Sequence, residues 1–503
     1  MKKPFDILII GGGINGSGIA RDAAGRGLRV CLVEMNDLAS GTSSASTKMI
    51  HGGLRYLEYY EFGLVRQALK EREKLLAIAP HLISPLRIVL PILPKMRPAW
   101  LIRIGLWIYD HLGGKISLPA TSNISLSTAP EGKPLAPGPT RAFAYSDGWV
   151  DDARLVTLNA VDAAKHGADI RTRCKLTKLT PKEGLWEASL VSEGKTSKIL
   201  TRSVINAAGP WADQVDALGG LDHAAHMVKV QGSHIIVPKL YDGDHAYLLQ
   251  NPDRRVVFSI PYQGKFTLFG TTDTVLEDDP ETAHLNEEES EYLLQSIHRF
   301  FKDKPKKKDI VWSYSGVRAL FGDPEKEAAS LSRDYELVMD PPGDTPPFLS
   351  ILGGKITTFR SLSEKAVNMV AARLNGESGD PWTADTPLPG GDLEATGVSG
   401  LAKFIRGKWP LLFTEETALR LAKAYGTWIE LVLDGVTESA DLGQNFGHGF
   451  SEKEARYLVE HEWAKTTEDL LWRRSKIGLH LNKAQIKKVD AWLLTELAAK
   501  PAE

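Results

Sequence analysis

Residues 6–20, DILIIGGGINGSGIA, leave few folds open to this chain. Ile7, Leu8, Ile9 and Ile10 form a continuous apolar run of strand length, and an Ala-rich, helix-compatible stretch follows at once. Between them Gly11, Gly13 and Gly16 fall at G-x-G-x-x-G spacing. The spacing predicts a strand, a tight turn and a helix start. Gly11 serves the turn, Gly13 the close approach of a pyrophosphate, and Gly16 the packing of helix on strand. Ile14 and Asn15 lie inside the motif, where the positive end of the helix faces the anion. A second apolar run, Leu28 to Val33, ends in Glu34, at roughly the 20-residue offset where a carboxylate accepts from a ribose diol. The alternative for Glu34 is a solvated strand end.

At 503 residues and 43% hydrophobic composition, the chain has the material for a large core and two or three structural units. A formal net charge of -2 gives no overall attraction to nucleic acid, so any bound anion must meet locally placed Arg and Lys. The two cysteines, Cys31 and Cys174, exclude a disulfide framework and a Cys-based metal cluster, and fit a reducing compartment. No His/Asp/Glu grouping has metal-ligand spacing, so no metal is expected. Met1-Lys2-Lys3-Pro4 runs directly into the first strand without a secretory h-region, and a cytoplasmic location is expected.

Residues 37–63 begin as a loop of small hydroxyl side chains, with Thr42, Ser43, Ser44, Ser46, Thr47 and Lys48 as donors, and continue as His51-Gly52-Gly53-Leu54-Arg55-Tyr56. A cofactor-facing loop is the favoured reading, with Ser46, Lys48, His51, Gly52 and Leu54 among its contacts. Helical periodicity spans Phe62 to Ala79 and stops at Pro80. Residues 85–115 mix Pro-broken apolar runs with Trp100, Trp107 and Tyr109, and Arg87, Lys95, Arg97, Arg103 and Lys115 outnumber Asp110. No run there reaches the roughly 18 to 20 apolar residues that span a bilayer. Two readings stay open: a monotopic membrane-surface contact, and a buried core helix.

Further on, a helix is expected from Ala153 to His166, capped by Asp151 or Asp152. Val204 and Ile205 end a strand before Ala207-Ala208-Gly209-Pro210-Trp211, where Gly209 and Trp211 are cofactor candidates. A mainly β region covers about 226–275 and ends in Gly270-Thr271-Thr272-Asp273. Gly353-Gly354 forms a second glycine turn between strand and helix, able to aim N–H dipoles at a ring, with Lys355 and Thr357 just beyond. The Pro, Gly and Asp rich residues 376–398 are taken as a linker. Beyond them Thr414, Ser451 with Glu454, and Asn482 with Gln485 mark helix starts.

Taken together, IIGGGINGSGIARDAAGRGL, TSSASTKMIHGGLRYLEYYEF, RPAWLIRIGLWIYDHLG, WVDDARL, GSHIIVP, GTTD, YSGVR, GGKITTFR and HEWAKTTEDLLWRR resemble the FAD-dependent, respiratory glycerol-3-phosphate dehydrogenases over nearly the whole chain. The calcium-binding extension of mitochondrial relatives is missing, which implies the bacterial aerobic type. The resemblance implies a glutathione-reductase-type FAD-binding Rossmann domain, an antiparallel substrate-binding sheet and an all-helical C-terminal cap. The expected partition gives about 1–80, 145–215 and 345–375 to FAD, about 81–144 and 216–344 to the substrate sheet, and 386–503 to the cap. The implied reaction takes sn-glycerol 3-phosphate to dihydroxyacetone phosphate, with electrons passed to membrane quinone. It also implies attachment at the cytoplasmic face of the membrane; a homodimer stays open.

Residue chemistry agrees with that implication. A phosphorylated alcohol needs cations for its dianion, and Arg55, Arg318 and Arg333 are the candidates, with Tyr56 and Thr271 as further substrate contacts. The base is read as His234, with Lys355 stabilising reduced flavin or sharing proton transfer and His51 as competitor. Neither cysteine is expected beside the ring, so FAD is expected to be non-covalent. The rival readings are an FAD-dependent amine or amino-acid oxidase, a non-catalytic membrane-associated flavin sensor, and an NAD-dependent dehydrogenase.

Overall fold

The computed structural model describes residues 3–93, 96–221, 227–321, 334–340, 345–374 and 378–499. Strand Phe5–Ile10 lies inside a parallel sheet, paired with Val30–Val33 on one side and Lys195–Asn206 on the other. Asp169–Arg171 and Phe348–Gly353 extend the sheet in parallel, and Tyr335–Met339 closes one edge antiparallel. Burial on both faces explains the unbroken apolar run at 7–10. Helix Ile14–Gly25 packs between helices Asp152–Lys165 and Phe359–Arg373, and its Ala20, Ala23 and Ala24 permit that close approach. The antiparallel pair Cys174–Lys182 and Leu185–Ser192 joins the start of Lys195–Asn206.

The second sheet centres on Met227–Pro238, which pairs antiparallel with Trp312–Phe321 and with Phe266–Gly270. It continues through Val256–Tyr262, Ala246–Gln250, Ile83–Pro91 and Arg141–Val150 to Met49–Ile50. The two sheets are therefore divided differently from the sequence partition. Arg141–Val150 lies wholly in the second sheet rather than being split near residue 144, and Met49–Ile50 joins it from the first 80 residues. Cross-strand hydrogen bonds between distant segments decide this, and local composition carries no trace of them.

Residues 85–115 also resolve into two parts. Ile83–Pro91 is a core strand, whereas Ala99–Leu112 is a surface helix that buries only Leu106 and Tyr109. Trp100 and Trp107 are 66% and 57% exposed, so this helix is not a core helix. Among the described residues no helix is long and apolar enough to cross a membrane.

The C-terminal unit is built from helices Gly397–Lys408, Glu415–Tyr425, Glu452–His461 and Lys483–Ala498 around its own apolar core. The expected caps form: Asp151, Thr414, Ser451 and Asn482 each accept from a backbone N–H three residues on. A short hairpin, Asn445–Gly447 with Phe450–Ser451, interrupts the helical pattern. Residues 376–398 are not a bare linker, because Trp382 packs under the Arg21 guanidinium at 4.8 Å and donates to the Asp22 carbonyl.

A buried ionic seam ties this cap to the first domain. Arg474 grips both Asp37 oxygens at 2.8 Å and also donates to the Glu462 carbonyl. Arg473 Nε reaches Asp37 at 2.7 Å, and Arg154 pairs with Glu462. Burial opposes charge on Asp469, yet Arg473 and Arg173 outweigh it and hold the carboxyl well below the usual range. Removing one partner of such a buried pair strands the other charge. Arg474→Ala should therefore destabilise the fold by about 3–5 kcal/mol, seen as a lower thermal midpoint; an unchanged midpoint would contradict the seam's role.

Candidate active site

Residues from both sheets line one cavity of about 1140 Å³. At its first end the turn after Phe5–Ile10 is set by contact distances. Gly11 has φ +112°, and a Cβ there would lie 2.6 Å from the Ala207 carbonyl oxygen. A Cβ on Gly16 would lie 1.9 Å from the Gly11 carbonyl oxygen. Gly16 is thus a packing residue outside the cavity wall, while Gly11, Gly13, Ile14 and Asn15 line it. Glu34 accepts from Gly12 N at 2.6 Å and from Asn36 N at 2.7 Å. Burial pushes its carboxyl up, and those two N–H donors oppose the shift.

The hydroxyl loop is more internally bonded than its composition suggests. Ser43 Oγ accepts from Ile14 N at 3.0 Å, and Thr42 donates to the Val317 carbonyl, so both brace the turn while lining the cavity. Ser46 bonds Asp152 through Oγ at 2.7 Å. Lys48 is buried away from the cavity wall, ion-paired to Asp152 at 2.7 Å beneath the loop. Gly52 also lies off the wall, donating to Tyr109 Oη at 2.8 Å. Lys48 and Gly52 therefore support the loop from behind, and Asp152 is the partner that the sequence reading assigned only to capping.

Gly209 and Trp211 line the cavity just after the Ala207-Ala208 segment that abuts the first turn, and further along the wall carries His51, Leu54, Arg55, Tyr56, His234, Thr271, Arg318, Gly354, Lys355 and Thr357. Thr357 Oγ1 accepts from His51 N at 3.2 Å, joining the two glycine-flanked segments. Arg318 is ion-paired to Asp273 and donates to Thr271 Oγ1 at 3.0 Å. Asp273 was missed in the sequence, although it closes the quoted Gly270-Thr271-Thr272-Asp273 motif. Lys355 Nζ stands 3.7 Å from the centroid of the Tyr56 ring. Arg333 lies outside the described residues.

His234 stacks on Tyr314 with centroids 4.9 Å apart, and its Nε2 lies 3.0 Å from Thr47 Oγ1. Burial, followed by the charges of Lys48 and Arg318, holds its pKa well below the ordinary histidine value. Both effects favour the neutral form of the ring.

These features fit FAD. A helix N-terminus and a carboxylate stand at one end, the buried Asn15 Oδ1 has no partner among the described residues, and cationic side chains stand at the other end. Cys174 lines the cavity, but beside Glu34, whose carbonyl accepts from Cys174 N at 2.8 Å, and so at the end away from His234. Cys31 is buried in the first sheet. Among the described residues no group of three or more His, Cys, Asp or Glu could hold a metal ion.

Fold and cavity define an FAD-dependent oxidoreductase. Residues 6–355 match the family described as FAD dependent oxidoreductase, and residues 381–498 match the C-terminal domain of alpha-glycerophosphate oxidase. A glycerol-3-phosphate dehydrogenase of Pseudomonas aeruginosa is 47% identical, covering 100% of this chain and 97% of that protein. The aerobic glycerol-3-phosphate dehydrogenase of Escherichia coli is 44% identical, with 97% of each covered. A D-erythritol 1-phosphate dehydrogenase of Brucella abortus is 46% identical, again with 97% of each covered. The structure is similar to a glycerol-3-phosphate dehydrogenase from Bacillus halodurans complexed with FAD, with TM-score 0.75 and 26% identity over 100% of this chain and 97% of that one. The chain belongs to the glycerol-3-phosphate dehydrogenase family of FAD-dependent oxidoreductases.

Gly11→Ala should give protein with little or no bound flavin, because the new methyl meets backbone rather than a movable side chain. The ratio of flavin to protein absorbance checks this; a wild-type ratio would contradict it.

Proposed function

We propose that this protein oxidises sn-glycerol 3-phosphate to dihydroxyacetone phosphate at the His234 end of the cavity and passes the electrons to membrane quinone. The observation that carries the reading is the register of adjacent strands. Pairing Val230 with Arg318 and His234 with both Tyr314 and Gly270 puts a cation, a neutral imidazole and Thr271 around one space. Arg318, already oriented by Asp273 and Thr271, offers its planar fork to the phosphate, and Arg55 adds a second cation to the cavity wall. His234 takes the hydroxyl proton as the alcohol carbon is oxidised. Lys355 is held against Tyr56, where its charge offsets the negative charge that develops at the ring end. When bound, FAD supplies the two-electron acceptor, and the residues around it bind, orient and deprotonate the alcohol.

Helix Ala99–Leu112 supports the membrane part of the reading. Leu101, Ile102, Gly105 and Ile108 line the cavity, while Trp100 and Trp107 are exposed, with Arg103 between them in the helix. Indole rings at headgroup depth with neighbouring cations suit a peripheral contact on the cytoplasmic face, and the apolar inner face suits entry of a quinone. A four-carbon polyol phosphate is the second reading, favoured by the full-length similarity to the Brucella abortus enzyme. Both substrates present a secondary alcohol and a phosphate monoester.

Anaerobic addition of glycerol 3-phosphate should bleach the oxidised flavin band, faster than D-erythritol 1-phosphate at equal concentration. A spectrum that stays oxidised would reject the reading, and the reverse order would favour the second. Arg318→Ala should raise KM roughly 100-fold with FAD retained, in line with about 1.5–3 kcal/mol for a charged hydrogen bond; unchanged saturation kinetics would reject that role. Replacing Trp100 and Trp107 by Ala should weaken liposome binding and leave soluble-dye turnover intact. Equal partitioning of the double variant onto liposomes would count against the helix as the contact.

A further inference from the structure

Helix Ala99–Leu112 is seated by two buried side chains that differ in kind. Leu106 supplies apolar packing, whereas Tyr109 carries a hydroxyl into a polar node shared with other elements. Its Oη donates to Asp147, whose carboxylate oxygens lie at 2.8 and 2.9 Å, and accepts from Gly52 N at 2.8 Å. Burial holds the phenol well above its ordinary pKa, so the hydroxyl enters the node protonated. Arg72, from helix Phe62–Ile78, completes the node by donating to Asp147 Oδ1 at 2.8 Å and to the Ser146 carbonyl at 2.9 Å. Tyr109, Asp147 and Arg72 are all buried. The backbone at 52 lies flush against the phenol: a Cβ on Gly52 would come within 2.7 Å of Tyr109 Oη and 2.6 Å of Leu69 Cδ2. Gly52 also stands in the middle of a wall segment, since His51 before it and Arg55 and Tyr56 after it line the cavity.

We propose that Tyr109 is a positioning residue: through Gly52 it fixes the His51–Tyr56 segment of the cavity wall and couples that segment to helix Ala99–Leu112. A buried donor or acceptor stripped of its partner costs about 1–3 kcal/mol. The helix therefore cannot leave its seat without disturbing Gly52, and the wall segment cannot shift without disturbing the helix. A phosphate gripped by Arg55 and a contact made by the exposed face of the helix favour one and the same arrangement, and each strengthens the other. The hydroxyl is what distinguishes this anchor from Leu106, which seats the helix but reaches no backbone group of the wall. The inference rests on the proposed reaction, in which Arg55 meets the substrate's phosphate.

The test is amide hydrogen exchange, read by mass spectrometry, on the FAD-loaded full chain kept anaerobic with and without glycerol 3-phosphate. In the wild type the substrate should slow exchange roughly 5-fold or more both in residues 51–57 and in residues 99–112, the lower end of ordinary coupling between sites. Tyr109→Phe should keep the slowing at 51–57 and lose it at 99–112. The same variant should raise the half-saturating concentration for flavin reduction roughly 3- to 10-fold with the limiting rate unchanged, in keeping with one lost hydrogen bond. Leu106→Ala, which loosens the helix without removing the phenol, should exchange faster throughout 99–112 and still respond to substrate there. A wild type whose flavin is bleached while 99–112 does not respond would overturn the proposal. So would a Tyr109→Phe helix that still responds, an unchanged half-saturating concentration in that variant, or a Leu106→Ala helix as unresponsive as Tyr109→Phe. Wild-type flavin that stays oxidised would reject the glycerol 3-phosphate reading instead. The wild-type comparison needs no variant, so it decides alone if Tyr109→Phe fails to fold.

Discussion

Three backbone segments meet at the first turn with no room for a side chain between them. The end of strand Phe5–Ile10 touches the Ala207-Ala208 segment, and helix Ile14–Gly25 closes on the same turn through Gly16. The tightness has a function beyond packing. It fixes the helix axis relative to the sheet, and with it the direction in which the positive end of the helix points into the cavity. Both neighbours of the central strand inherit their positions from the same place: Val30–Val33 delivers Glu34 to the helix start, and Lys195–Asn206 delivers Gly209 and Trp211. Loosening this contact would shift every group at that end of the site together.

What the amino-acid sequence disclosed divides by distance along the chain. Local features were legible: the glycine turn, the caps at Asp151, Thr414, Ser451 and Asn482, and the helix ending before Pro80. Each is decided within a few residues, where spacing and backbone chemistry suffice. Pairings across long separations were not legible. Lys48 finds Asp152 across 104 residues and Arg318 finds Asp273 across 45, and no periodicity encodes either partnership. Lys48 looked like a cofactor contact because its neighbours are; in the structure its loop turns the side chain inward at a left-handed backbone position, φ 60°. Strand membership failed for the same reason, since Arg141–Val150 reads as an ordinary strand for either sheet until its partners are known. For residues 85–115 the sequence left a surface contact and a core helix both open, and the exposure of helix Ala99–Leu112 depends on elements far along the chain.

Buried charge is organised by the work required of it. The groups that steady the scaffold come as closed sets, such as Lys48 with Asp152, Arg360 with Glu71, and Arg474 with Asp37, each with oxygen and nitrogen partners in hydrogen-bond contact. Such sets offset the desolvation of their members and are poor ligands for anything else. The groups at the far end of the cavity line open space instead. His234 has a nitrogen with no hydrogen-bond partner among the described residues, and Arg318, held by Asp273 and Thr271, lines the cavity. This difference between closed and open sets separates scaffold from site more clearly than residue type does, since Arg, Asp and Lys appear in both.

Among the described residues none beyond Thr357 lines the cavity, yet the cap is bolted through Arg473 and Arg474 to Asp37, which follows directly on the cavity-lining residues Glu34, Met35 and Asn36. Thermodynamic linkage makes this reciprocal: a ligand that favours the ordered 34–37 segment also favours the docked cap, by the same free energy with which cap docking favours the ligand. The C-terminal unit thus acts as a remote stabiliser of a site it never touches.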